Sequence, residues 1–334
     1  MAIRCSRLLF QFITILVFWF QLIGEAEHSN ATEFQPVTNA HVYVVPIKGQ
    51  IMPAHLFILR RALKEAIAEN VQTVVLDIHT PGGSLETTLE MMNALEKFQG
   101  DIIAYVNTEA ISAGSYLAIA ADKIYFEPNG IMGAAAVIES TGQDISSTLK
   151  KKIDSYLKAR IRNLSQDYPY RGDVQRAMMD EDFVFQIDGT ILKDKGELLS
   201  LTAKEAIKEY GNPVQKLLAK GVVSDVKALL DIELGANQYT IQAFEITGAE
   251  RAAKFLQSIS PILMGLGLML LFIEFKTPGF GWIGALGIGC LLTVFVSNHI
   301  AGLAGYEAVI LFGLALICFF LELFVFSGLL SVES

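Results

Sequence analysis

From His41 onward the chain alternates two hydrophobic rhythms. Short apolar runs rich in Val, Ile and aromatic residues, at 42–47, 73–78, 102–106 and 123–126, read as strands. Between them, apolar residues recur every three or four positions at 53–70, 84–98 and 112–121, the spacing of helices that bury one face. Alternation of this kind builds an open sheet with helices packed on it, the α/β class. A longer amphipathic helix is expected at about 146–166, with Ile153, Leu157, Ile161 and Leu164 as its apolar stripe. Short elements follow over 196–223, including an Ala-rich helix at 203–210. Residues 226–254 read as a linker. The connection from Ile131 to Leu149 has no clear register.

The two ends follow a different pattern. Arg4 and Arg7 precede an apolar run at 8–23, and Gly24-Glu25-Ala26 resembles a small-x-small cleavage site, so residues 1–26 read as a secretory signal. An uncleaved anchor helix is the competing reading, and in both cases the following domain, 38–225, is exported. Near the other end, runs at 259–275, 280–296 and 308–330 each approach the length that crosses a hydrocarbon core. A multi-pass module of about three helices over 255–330 is therefore expected, embedded in the cell membrane with the central domain extracytoplasmic. Glu274 and Glu322 occupy similar settings near the ends of the first and third runs, which points to a duplicated hairpin and to anchoring or packing roles.

Composition narrows the chemistry. A formal net charge of -9 over 334 residues excludes an electrostatic grip on nucleic acid, which needs clustered Lys and Arg. Lys150, Lys151, Lys152 and Lys158 form the main local exception. Cys5, Cys290 and Cys318 all lie in or beside the apolar ends, so the central domain has no thiol nucleophile, disulfide or zinc-type spacing. Nucleotide loops and metal-ligand clusters are lacking in the sequence, and no cofactor or metal is expected.

Two turns carry candidate chemistry. Thr80-Pro81-Gly82-Gly83-Ser84 follows a strand and opens a helix, where glycines bring backbone N–H groups close to a ligand oxygen and the helix dipole is positive. Ala110-Ile111-Ser112-Ala113-Gly114-Ser115 repeats the arrangement one unit later and sets Ser112 at a helix start, where a plain capping serine is the structural alternative. Successive β-α units bring both turns to one sheet edge, where open α/β folds place their sites. A serine nucleophile needs a base, and no histidine lies between Pro81 and Asn298. His79, on the strand into the first turn, reads as a strand-end residue. A lysine desolvated enough to be neutral serves the same purpose. Lys152 stands at the margin of the stripe of the long helix, between Leu149 and Tyr156, with Lys150 and Lys151 as alternatives.

Several segments together resemble the long NfeD proteins, membrane-bound ClpP-class serine proteases related to signal peptide peptidase A and, by fold, to the crotonases. They are Val75-Leu76-Asp77-Ile78-His79-Thr80-Pro81-Gly82-Gly83, Ala110-Ile111-Ser112-Ala113-Gly114-Ser115-Tyr116, Ile131-Met132-Gly133-Ala134-Ala135, Gly196-Glu197-Leu198-Leu199-Ser200-Leu201-Thr202-Ala203 and Glu274-Phe275-Lys276-Thr277-Pro278-Gly279-Phe280-Gly281. The resemblance implies a ClpP/crotonase-like domain of repeated β-β-α units followed by an α-helical transmembrane module. It also implies Ser112 as nucleophile, Lys152 as base through the Ile161-Arg162 pair ten residues on, and an oxyanion hole from the N–H groups of Gly83 and Ala113. By the same likeness the substrate is a hydrophobic peptide or membrane-protein segment, the partner a stomatin- or flotillin-like protein, and the assembly a homo-oligomer, dimer or larger. Relatives commonly continue into a small OB-like β-barrel, whereas this chain stops at Ser334, so a shortened C-terminus is expected. A non-catalytic scaffold for stomatin-like assemblies and a crotonase-like acyl-CoA enzyme are the rival readings.

Overall fold

The computed structural model describes residues 40–137, 147–276 and 281–300. The expected signal segment, the connection after Val137, the third apolar run and Glu322 lie outside the described residues.

Three β-α steps and a fourth strand build the main sheet. Strand β1 (Ala40–Lys48) leads through helix α1 (Pro53–Ala68) to β2 (Thr73–Thr80), then α2 (Leu85–Glu96), β3 (Asp101–Ile111), α3 (Ala113–Ile119) and β4 (Lys123–Phe126). β2 is buried at seven of eight positions, as expected of a central parallel strand covered on both faces. Start signals match the sequence: Pro53 opens α1, and the Ser84 hydroxyl accepts the Thr87 N–H at the head of α2. Beyond these elements come β5 (Ile131–Gly133), the long α4 (Ser147–Leu164), α5 (Arg171–Met179), β6 (Phe185–Ile187), β7 (Thr190–Lys193), β8 (Ser200–Thr202), α6 (Ala203–Ala206), β9 (Glu209–Tyr210), β10 (Gln215–Lys216), β11 (Gly221–Val222), α7 (Val226–Leu234) and β12 (Tyr239–Ala243). The strand order is β11-β4-β3-β2-β1-β12, with β5 beside the end of β3 and β8 beside β5.

The upper ends of the strands form a second short layer. β3 pairs with β4 through Ile103–Val106 and then, past a left-handed Thr108, with β5 through Glu109–Ile111. The β2–β3 register shifts between Ile78 and Thr80, and Ile51 bridges Gly83. The end of β3, β5 and β8 carry this layer, with the Ile51–Gly83 bridge nearby in sequence to β1 and β2. The larger core lies between the sheet and α1, α2 and α3, with α5 packed on α3, and a smaller core of Val42, Val75, Ile103, Tyr105, Tyr125, Leu229 and Leu230 lies under α7.

Two expectations need correction. The helix expected at 203–210 stops at Ala206, because Glu209–Tyr210 turns into a hairpin with Gln215–Lys216. The stretch 226–254 is no loose linker. Asp225 caps α7 by accepting the Ala228 N–H, Leu229 and Leu230 are fully buried, and β12 pairs in parallel with β1. A capping box then starts α8 (Gly248–Lys276): Glu250 accepts the Thr247 N–H, and Thr247 Oγ1 accepts the Glu250 N–H.

α8 is the one helix long and apolar enough to cross a membrane among the described residues, and a shorter apolar helix, α9 (Trp282–Ile300), packs against it. Gly267 and Gly287 face one another at this contact; a Cβ on Gly267 would meet the Gly287 carbonyl oxygen at 3.1 Å, so small residues allow close backbone approach. Glu274 is buried and its carboxylate accepts the N–H groups of Gly281 and Gly284, which start α9. Its role is therefore packing and capping within the hairpin.

Candidate active site

The two glycine- and serine-containing turns meet at the edge of the sheet. A Cβ built on Gly82 would lie 2.7 Å from Ser112 Cβ and 3.1 Å from Ser112 Oγ, and Gly82 adopts φ +114°. Only glycine accommodates both the backbone conformation and the approach. Buried Thr80 fixes this first turn, accepting the Gly82 N–H on Oγ1 at 3.1 Å. Ile51 clamps it from the other side: its N–H donates to Gly82 O and its carbonyl accepts the Ser84 N–H. Those bonds use the groups flanking Gly83 and direct the Gly83 N–H away from Ile51.

Ser112 is strained. It sits at φ +52° and ψ −114°, where an L-residue persists only when its surroundings over-determine it, at a cost of roughly 1–3 kcal/mol. Its N–H donates to Gly133 O at 2.9 Å, and its carbonyl accepts both the N–H and the hydroxyl of Ser115, at 3.0 and 2.8 Å. The Ser112 side chain makes no capping bond to α3, so the capping alternative does not describe its role. Ala113 opens α3, and the first N–H groups of a helix have no intrahelical acceptor. Among the described residues neither the Gly83 nor the Ala113 N–H has a backbone partner. A half-buried hydroxyl beside two uncommitted amide donors can attack a carbonyl and stabilise the resulting oxyanion.

The lysines are arranged otherwise. Leu157 and Ile161 are buried and Ile153 and Leu164 partly so, as the stripe predicts. The inward margin of α4 carries Lys150, Asp154 and Lys158, paired as Lys150–Glu181 at 3.3 Å and Lys158–Asp180 at 2.6 Å. Burial raises the Asp154 carboxyl above its usual range, opposed by the charges of Lys158 and Lys150. Lys152 is exposed, lining a shallow groove with Thr148, Lys151, Ser155, Tyr156 and Ala159. Leu149 and Tyr156, which flank it on the helix, are themselves half exposed. The structure thus brings Ser112, Gly83 and Ala113 together and leaves Lys152 in water. His79 has a strand-end position, its Nδ1 3.2 Å from Asn107 O.

Three contributors escaped the sequence reading. Gly82 is the spacer against which Ser112 rests, Gly133 supplies an acceptor to the Ser112 N–H, and fully buried Gln175 on α5 donates to Ser115 Oγ at 3.0 Å. The doubled glycine marked the first. Gly133 lies in a segment that carries the family resemblance, but its contact with Ser112, like that of Gln175 with Ser115, joins elements distant in sequence.

Comparison with known proteins matches residues 41–243 to the N-terminal domain of NfeD1b and residues 258–332 to the NfeD integral membrane domain. Membrane protein NfeD1b of Bacillus subtilis is 32% identical over 293 residues, which cover 87% of this chain and 64% of that protein. Membrane-bound protease PH1510 of Pyrococcus horikoshii is 26% identical over 253 residues, covering 71% of this chain and 54% of that protein. The chain thus spans less than two thirds of the length of either relative. Among solved structures, a mutant of the 1510-N membrane-bound stomatin-specific protease in complex with a substrate peptide superposes with a TM-score of 0.52 at 20% identity, covering 66% of this chain and all of that one. This likeness identifies the fold, a ClpP-like α/β domain.

Proposed function

Since the chain belongs to the NfeD family and carries both its N-terminal domain and its membrane domain, we propose that it is a membrane-anchored serine endopeptidase acting on hydrophobic segments of membrane proteins. The observation that carries this reading is the strained Ser112, held against Gly82 beside the N–H groups of Gly83 and Ala113, which have no backbone partner among the described residues. A relative named as a protease, and a fold shared with a stomatin-specific protease, support a stomatin-like substrate.

In the proposed reaction a neutral Lys152 accepts the Ser112 proton as Oγ attacks the peptide carbonyl carbon. The Gly83 and Ala113 N–H groups hold the oxyanion. Collapse of the tetrahedral intermediate breaks the C–N bond, and the amine leaves with the proton from lysine. Water then hydrolyses the acyl-enzyme. Lys152 is exposed in the single chain, so a contact must desolvate it before it acts as a base. Apolar Leu149, Tyr156 and Ala159 on the same exposed face of α4 fit a contact with a second copy, and we place the homo-oligomer there. The membrane segment is read as multi-pass, with the protease domain extracytoplasmic.

The test uses the full chain in lipid nanodiscs, an apolar peptide panel and a serine-reactive phosphonate. Wild type cleaves and is labelled at Ser112. Ser112→Ala and Lys152→Ala each lose at least about 1,000-fold in kcat, and the double variant loses no more than either. Unlabelled, inactive wild-type protein that still assembles with a stomatin-like partner would favour the scaffold instead.

A further inference from the structure

Ser112 holds its strained conformation through bonds at both of its backbone ends, and one of these leads to a residue far away in sequence. The Ser112 carbonyl accepts the Ser115 hydroxyl at 2.8 Å, and Ser115 Oγ accepts Nε2–H of Gln175 at 3.0 Å. Ser115 and Gln175 are both fully buried. A hydroxyl has one proton and rotates freely, so alone it does not choose its acceptor. The amide donor of Gln175 occupies one lone-pair position of Ser115 Oγ, which keeps the Ser115 proton off that side and favours the Ser112 carbonyl as its acceptor.

The arrangement is not what stability alone would select. Gln175 Oε1 is buried with no hydrogen bond among the described residues; the neighbouring Tyr116 hydroxyl lies against the donor side of the Gln175 amide and spends its own proton on the Ala135 carbonyl at 3.1 Å and Met179 Sδ at 3.6 Å. A buried acceptor left unpaired costs stability, and an apolar side chain of the same shape would avoid that cost. α5, which carries Gln175, also packs against the second layer: its Met178 carbonyl accepts the Ala135 N–H, two residues beyond the Gly133 carbonyl that holds the Ser112 N–H. Both backbone groups of Ser112 therefore depend on the seat of α5.

We propose that Gln175 is a positioning residue for the Ser112 nucleophile, acting through Ser115 to fix the backbone conformation that aims Oγ. This rests on the reading of Ser112 as nucleophile. Gln175→Met keeps the shape and removes the donor. In the full chain it is expected to lower kcat roughly 10- to 100-fold with KM unchanged, the scale of loss from a slightly misplaced reacting group. The melting temperature should be unchanged or raised, because the unpaired Oε1 goes too. Ser115→Ala should lose as much, and Gln175→Met/Ser115→Ala no more than Ser115→Ala alone. Gln175→Glu, an acceptor of the same length, should draw the Ser115 proton away from Ser112 and fail to rescue.

Wild-type kcat in Gln175→Met, multiplicative losses in the double variant, or a kcat loss that merely tracks a lower melting temperature would overturn the proposal. If Gln175→Met does not fold, Ser115→Ala decides alone, and wild-type kcat there overturns it. If the wild type neither cleaves peptide nor labels at Ser112, the protease reading fails separately. Amide hydrogen exchange at residues 112 and 115 then decides: faster exchange in Gln175→Met upholds the positioning role, and equal exchange refutes it.

Discussion

At the scale of single residues, two positions have physical consequences that need no assay of substrate. Alanine at Gly82 would set a methyl group 2.7 Å from Ser112 Cβ at a φ that L-residues avoid. Gly82→Ala should cost about 1–3 kcal/mol of stability, measured by denaturant unfolding, and abolish phosphonate labelling of Ser112 while the α/β circular dichroism persists. His55 is the second. Its Nδ1 accepts the Met52 N–H, which leaves the proton on Nε2 to donate to Lys48 O at 3.1 Å. Burial, reinforced by the Lys254 charge, lowers its pKa to about 4. Between pH 6.5 and 4 the unfolded chain therefore binds a proton that the folded one refuses. Stability is full above pH 6.5 and falls with pH through that window, by on the order of 3 kcal/mol. Melting curves of His55→Gln should start lower at pH 7 and decline less between pH 6.5 and 4.

Among elements, the junction between the domain and α8 is fastened by several side chains. Arg61 of α1 donates to both carboxylate oxygens of Glu250 at 2.8 Å, to Glu65 and to the Glu245 carbonyl, and its guanidinium lies over the Phe244 ring. Gln257 Oε1 accepts the Ala54 N–H and Lys254 Nζ donates to Lys48 O, so the first turns of α8 are fastened to α1 and to the end of β1. Arg61→Ala should destabilise the domain by about 2 kcal/mol and speed amide exchange at residues 247–256 while leaving β2 and β3 protected. This junction was illegible in the sequence. β12 is an edge strand exposed at four of its five positions, so it lacks the in-out alternation that marks a half-buried strand. By contrast β2, α1 and the stripe of α4 were legible because burial dictates their composition.

For the whole molecule, the proposed base Lys152 requires a contact that covers the exposed face of α4. Its face of α4 is exposed in the single chain, with Leu149 and Tyr156 beside it. If copies meet there, Tyr156→Asp should convert the assembly to monomers in multi-angle light scattering and lower kcat at least about tenfold. Ser112 and its amide neighbours would be undisturbed, so phosphonate labelling should fall only as far as it depends on the base. Unchanged assembly and activity would place the contact elsewhere.

Local pattern alone marks the α/β order, the two turns with Ser112 at a helix start, and the apolar C-terminal runs. These follow from local periodicity and from residue types that few conformations accept. The tertiary structure decided which glycine touches Ser112, that Gln175 and Gly133 secure it, that residues 226–243 complete the sheet, and which lysines of α4 face inward. Each depends on contacts between segments far apart in the chain, where helix rotation and strand register, rather than composition, select the neighbours.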